Sequence, residues 1–332
     1  MTEREPVRWG ILSTANIARG AFLPALQAAG GGVAAAVGSR DLARGRAWAQ
    51  EHGVERAVEG YDAVIGDDSI DAVYIPLPNS LHAEWAIAAM AAGKAVFCEK
   101  PLCGTLAETE RVLGVATERA ALLWEAFIFP FREQSRHLRE IIDAGEIGEV
   151  REVQSRFHFR LSNRQNVRLS SELEGGALLD VGCYAVRFAR MIFNADAAGG
   201  TATAVWAPEG VDEELAGVLD FPGERRLLFS CGMRGALDTF TRILGTEGQI
   251  RVTGPFHPRP QDNVTVLKPD GSESVWSEGA EEPNFTAAIR HIHRVLRGEE
   301  SPRHLATDEA GGNAVALDLL LRSARTGQYQ SV

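Results

Sequence analysis

The sequence predicts an α/β chain in two parts: a parallel sheet interleaved with helices, then a mostly antiparallel sheet. Three observations point there. From Val7 to Trp124, short apolar runs alternate with helical stretches of about 10–15 residues, the rhythm of βαβ units. After Phe131 the rhythm shortens to successive strands with few helices between them. The composition, 45% hydrophobic and 24% charged over 332 residues, is that of a water-soluble globular chain long enough for two domains.

Val7–Leu12 is an apolar run ending at small residues. Ile17–Ala29 reads as a helix, and Gly30-Gly31-Gly32 ends it. Val33–Val37 is a second buried run, followed by a helical Leu42–His52. Asp71–Ile75, Ala95–Cys98 and Leu122–Trp124 are further strands, separated by helices at Ser80–Ala92 and Thr105–Arg119. Right-handed crossovers put every strand's carboxyl end on one edge. Ligands bind outside that edge in sheets of this kind. Beyond Phe131, Glu133–Ala144 reads as a helix and Val150–Arg160 as a long strand. Thr201–Trp206, Leu215–Phe221, Arg226–Met233, Phe240–Leu244, Gln249–Thr253 and Asn263–Lys268 read as strands. Pro222-Gly223-Glu224 and Thr246-Glu247-Gly248 supply turns between some of them. Asn284–Arg297 and Ala306–Arg325 close the chain as helices. The expected boundary lies near Pro130, giving domains 1–128 and 129–332, with the C-terminal helices able to pack back on the first.

Charge and cysteine usage exclude several classes. The chain holds 45 acids against 34 bases, a net charge of −11, which argues against a nucleic-acid footprint. No segment approaches the ~20 apolar residues that span a bilayer. Met1–Pro6 has no basic-then-apolar leader, so a cytoplasmic protein without membrane partners is expected. Cys98, Cys103, Cys183 and Cys231 form no C-x-x-C pair and are expected as reduced thiols. His291 and His293, two apart on a helix, face different ways, and no metal site is expected.

The first strand runs into Ser13-Thr14-Ala15-Asn16-Ile17-Ala18. A dinucleotide turn places glycines at the first, third and sixth positions, for the tight turn, the pyrophosphate approach and the helix packing. Here Ser13, Ala15 and Ala18 stand there, so only the small size survives. The following helix start still offers N–H groups and a positive dipole end, with Thr14 and Asn16 as added donors. The alternative is a plain βα loop. The second strand ends in Gly38-Ser39-Arg40-Asp41, where such a fold meets the adenosine ribose. A hydroxyl and a guanidinium there suit a 2′-phosphate, favouring NADP(H) over NAD(H). Asp41 is expected to cap the helix starting at Leu42 rather than hold a ribose. Arg40 is otherwise a solvated charge.

Two more strand ends follow. One is Pro76-Leu77-Pro78-Asn79-Ser80-Leu81-His82, in which Asn79 caps the next helix or reaches a ligand. The other is Glu99-Lys100-Pro101, whose proline restricts the backbone of Lys100. In the second domain, Gly175–Tyr184 opens a helix on which Asp180 and Tyr184, four apart, share a face. Read alone, these two are as easily a helix-start carboxylate and a half-buried aromatic.

Together these stretches resemble the family of glucose–fructose oxidoreductase, inositol dehydrogenase and MocA-like proteins. The residues that carry the resemblance are Ser13–Ala18, Pro78–His82, Glu99-Lys100-Pro101, Gly145-Glu146-Ile147-Gly148-Glu149-Val150 and Gly175–Tyr184. The resemblance implies a Rossmann domain followed by an α/β domain with a large, open, mostly antiparallel sheet. It implies a nicotinamide cofactor and a sugar-like substrate, with Lys100, Asp180 and Tyr184 at the catalytic positions. It extends the cofactor-binding set to Ser13, Thr14, Ala15, Asn16, Ile17, Ser39, Arg40, Leu77, Pro78, Asn79, His82, Glu99 and Lys100. Arg168, in the loop Asn163–Leu169, is expected to reach the substrate. The tyrosine at 184 resembles the dihydrodiol dehydrogenase, NADP xylose dehydrogenase and sugar 3-ketoreductase branch. A homo-oligomer, dimer or tetramer, formed through the second sheet is implied as well. The alternatives are a dihydrodiol or other non-sugar carbonyl oxidoreductase, and a cofactor-binding sensor without turnover.

Overall fold

Apolar runs too short to be helices become strands, and the interleaved helices set their direction. In the computed structural model, which describes residues 5–279 and 281–332, the N-terminal strands are β1 (Val7–Leu12), β2 (Gly32–Ser39), β3 (Arg56–Glu59), β4 (Ala72–Ile75), β5 (Ala95–Cys98) and β6 (Leu123–Glu125). They pair in parallel in the order β3-β2-β1-β4-β5-β6. Strands β4 and β5 are buried at every position, as expected of a parallel sheet covered on both faces. The helices are α1 (Leu23–Ala29), α2 (Leu42–His52), α3 (Asp62–Ile65), α4 (His82–Ala91) and α5 (Leu106–Glu118). The strand order reverses at the β1/β4 junction, the switch point where dinucleotides sit in such folds.

The expected helix at Ile17–Ala29 is divided: Ala18–Phe22 forms a π-helical turn that runs into α1. Strand β3 was not expected from the sequence. It lies at a sheet edge with one neighbour, is at most half-buried, and needs no apolar run.

The next stretch contains α6 (Glu133–Asp143), β7 (Val150–Arg160), α7 (Cys183–Phe193), β8 (Gly199–Trp206), β9 (Asp212–Phe221), β10 (Arg225–Gly232), β11 (Arg234–Gly245), β12 (Gln249–Thr253), β13 (Val264–Leu267) and β14 (Glu273–Trp276). With β15 (Gln330–Ser331) these strands form a nine-stranded sheet in the order β14-β13-β12-β11-β7-β10-β9-β8-β15. Its pairs are antiparallel except β7 with β10. The two strands the sequence does not announce, β14 and β15, are again the edges.

The chain divides into two compact units. Unit one holds Met1–Cys103, Ala107–Phe131 and Glu282–Ala310; unit two holds Gly104–Leu106, Arg132–Glu281 and Gly311–Val332. Helix α8 (Thr286–Leu296) therefore belongs with the parallel sheet, while α9 (Ala306–Thr326) starts in unit one and continues in unit two. Within unit one, His293 of α8 is clamped: Trp9 Nε1–H donates to its Nε2 at 2.9 Å, and its Nδ1 lies 2.9 Å from the Gly30 carbonyl. Among the described residues, no helix is long and apolar enough to cross a membrane.

Candidate active site

In unit one the expected cofactor residues fall on one edge, at the carboxyl ends of β2, β1, β4 and β5. Ser13 follows β1 with φ 128, a conformation that favours glycine. It stands where a dinucleotide turn has its first glycine, so the backbone keeps the glycine shape without the glycine. Replacing Ser13 with Gly is therefore expected to raise stability by about 1 kcal/mol, read as a higher urea midpoint. A lower midpoint would show that the Ser13 side chain is needed there. The first helical bond after the turn is Ala18 N–H to the Ala15 carbonyl, at 3.1 Å. The amides before it are the ones a helix start presents to an anion.

At the end of β2, Ser39 is 5% exposed and Arg40 is exposed. The Ser39 hydroxyl donates to the Asp41 carbonyl at 2.7 Å and accepts from the Asp41 N–H at 3.3 Å. Its hydrogen is thus directed at the main chain. Ser39 shapes the turn. Asp41 caps α2 as expected, its carboxylate accepting from Arg44 N–H at 3.1 Å.

His82 is wholly buried. Its Nε2 lies 2.8 Å from the Leu77 carbonyl and its Nδ1 2.9 Å from the Pro101 carbonyl. Burial holds its pKa below the ordinary histidine value, and a neutral ring donates to only one of the two carbonyls. The ring ties the loop after β4 to the loop after β5. Asn79 begins the short 3₁₀ turn Asn79–Leu81 that leads into α4. Glu99 accepts from the Tyr74 hydroxyl at 2.6 Å, and Lys100 is half-buried. The Glu125 carboxylate accepts from Leu102 N–H at 2.8 Å and steadies the same loop.

In unit two the Gly175–Tyr184 stretch folds as expected into a helix start, but its first turn is π-helical, Leu178–Gly182, before α7. Such wide turns are frequent at functional sites. Asp212, at the start of β9, anchors this start: its Oδ2 accepts from Leu178 N–H at 2.6 Å. Gly176, at φ 122, makes room, since a Cβ there would lie 2.3 Å from Asp212 Oδ1. Burial pushes the Asp212 carboxyl up to about 7, against the lowering effect of the main-chain bonds it accepts.

Asp180 and Arg168 are brought together, with Arg168 Nε donating to Asp180 Oδ2 at 2.6 Å. Arg168, expected to reach the substrate, and Asp180, expected at a catalytic position, thus hold each other. Tyr184 is 5% exposed and lies against Phe157 and Phe256, with ring centroids 5.6 and 5.2 Å away. Its hydroxyl is 3.3 Å from Nε2 of His257. Neither His257 nor Asp212 stands out in the sequence. The only local signal at 257 is a histidine between Phe256 and Pro258; at 212 it is an acid that looks like part of a solvated run.

Comparison with known proteins follows the same division. Residues 7–127 match the model of an oxidoreductase family with an NAD-binding Rossmann fold, and residues 135–251 match the GFO/IDH/MocA C-terminal domain. The chain is 33% identical over 326 residues to a D-xylose 1-dehydrogenase (NADP(+)) from Haloferax volcanii, covering 96% of this chain and 98% of the other. It is 37% identical over 274 residues to a dTDP-3,4-didehydro-2,6-dideoxy-α-D-glucose 3-reductase from Streptomyces violaceoruber, covering 80% and 79%. Among solved structures, a 3-ketoreductase from Actinomadura kijaniata in complex with NADP and TDP-benzene superposes with a TM-score of 0.88 at 30% identity, covering 96% and 98%.

Proposed function

The chain belongs to the GFO/IDH/MocA family of oxidoreductases, and from that membership we propose an NADP(H)-dependent enzyme acting on a hydroxyl or keto carbon of a sugar or sugar-like substrate. The observation that supports the chemistry best is the Tyr184 hydroxyl, walled by aromatic rings, bonded to an imidazole and carried on a helix start that Asp212 anchors. The residues of unit one fit a dinucleotide: a glycine-like turn at Ser13, a helix start after it, and the exposed Arg40 at the ribose end of β2. When bound, the cofactor supplies or accepts the hydride. The chain's own residues handle the proton. Tyr184 gives it to, or takes it from, the substrate oxygen as general acid or base. Lys100 favours the phenolate through its positive charge and so makes Tyr184 a better base near neutral pH. Asp180, braced by Arg168, orients a substrate hydroxyl.

The test is a steady-state screen with two arms: aldoses, D-xylose first, with NADP⁺, and 3-keto sugar nucleotides with NADPH. Turnover in either arm supports the proposal. Saturable cofactor binding with no turnover in either arm or in a control set of non-sugar carbonyls and dihydrodiols would favour a sensor instead, and turnover confined to that control set would reassign the substrate. Cofactor choice is tested separately. Arg40→Ala is expected to weaken NADPH binding about tenfold or more and to change NADH binding little, because only NADPH has the 2′-phosphate. Equal loss for both cofactors contradicts the assignment of Arg40.

A further inference from the structure

We infer that His257 is the group through which Tyr184 exchanges protons with solvent during turnover. This inference deepens the proposed function and rests on Tyr184 being its acid–base residue. Each catalytic cycle leaves Tyr184 one proton short or one proton over, and a residue only 5% exposed needs a route to water for that proton. His257 Nε2 lies 3.3 Å from the Tyr184 hydroxyl, and His257 is a partly exposed residue. Imidazole is the side chain best suited to pass protons near neutral pH.

The ring's position is fixed by its surroundings. Phe256 is wholly buried, and its ring stacks on Phe157 of β7 at 5.6 Å. Pro258, on the other side, is also buried. The loop is closed further on by Asp262, whose Oδ2 accepts from the Arg259 N–H at 2.9 Å and from Arg259 Nε at 3.2 Å. Tyr184 of α7 and Phe157 of β7 face the His257 ring, and on its own loop Arg259 and Asp262 bond each other.

In the reducing direction the Tyr184 O–H bond breaks as its proton passes to the oxygen of the carbonyl that the bound cofactor would reduce by hydride. The phenolate oxygen then takes a proton from Nε2 of the His257 imidazolium. The neutral ring regains one proton from water. In the oxidising direction the same transfers run backwards, and water receives the proton.

The experiment compares wild type, His257→Phe and Tyr184→Phe on whichever substrate in the two arms above turns over fastest. Phenylalanine keeps an aromatic ring in the space and removes the relay. His257→Phe is expected to lower steady-state turnover roughly 10- to 100-fold, to leave the first turnover and NADPH binding near wild type, and to regain rate with added imidazole. A residue that only supports the fold would slow the first turnover too and would not respond to imidazole; that outcome overturns the inference. So does a wild-type rate and pH profile in His257→Phe, and if Tyr184→Phe is inactive at the same time the parent proposal stands. An active Tyr184→Phe, or no turnover with any probe, removes the parent proposal and the inference together.

Discussion

Tyr184→Phe is expected to lower turnover by roughly 100-fold or more while NADPH binds as in the wild type. The substitution deletes one oxygen and leaves the ring among Phe157 and Phe256, whose centroids lie 5.6 and 5.2 Å away. Packing is therefore kept, and the fold has no reason to change. What is lost is the group proposed to exchange a proton with the substrate oxygen. General acid–base catalysis typically contributes ~10²–10⁴-fold, which sets the expected size. Cofactor binding is followed separately by fluorescence titration. Turnover near wild type with NADPH still bound would contradict the assignment. Loss of both activity and NADPH binding would show that the variant had damaged the fold instead.

Acidification from pH 7 to pH 4 is expected to remove about 3 kcal/mol from the contribution of His293 to unit-one stability. Burial pushes the His293 pKa from 6.5 down to about 4, with the positive charge of Arg297 acting in the same direction and the bond to Gly30 against it. The folded ring stays neutral, accepting from Trp9 and donating to Gly30. Below pH 6.5 the unfolded chain takes up the proton first, so this stability is lost progressively as pH falls towards 4. Asp212 works the other way. Its carboxyl, raised from 3.8 to about 7 by burial, is protonated in the folded state first, so its contribution grows as pH falls through that window. Urea unfolding between pH 4 and 8 checks both. His293→Gln is expected to lose the acid-side decline, and Asp212→Asn to make that decline steeper. An unchanged slope in either variant contradicts the corresponding assignment.

Much of this was legible in the sequence for a physical reason. Buried parallel strands such as Ala72–Ile75 and Ala95–Cys98 must be continuous apolar runs, so they announce themselves. Three of the four edge strands do not. Arg56–Glu59, Glu273–Trp276 and Gln330–Ser331 each have one partner strand and need little apolar surface. At the site, strand ends and the Asp180/Tyr184 spacing could be read locally. The partners could not, because they arrive from far along the chain. His257 is 73 residues from Tyr184, and Asp212 is 34 residues from Leu178. The sequence Asp212-Glu213-Glu214 looks like a solvated run, yet Asp212 is 2% exposed and faces a helix start. Ser39 shows the opposite limit. Its residue type suited a phosphate, but its hydroxyl hydrogen is directed to the Asp41 carbonyl.

The central claim is that Tyr184 protonates or deprotonates a sugar oxygen in an NADP(H)-dependent reaction. A crystal structure with NADP(H) and a trapped sugar tests it most directly. The expected result is a sugar carbon facing the nicotinamide C4, with the oxygen on that carbon hydrogen-bonded to the Tyr184 hydroxyl. A sugar whose reacting oxygen is bonded to other groups, with Tyr184 turned away from it, would contradict the account.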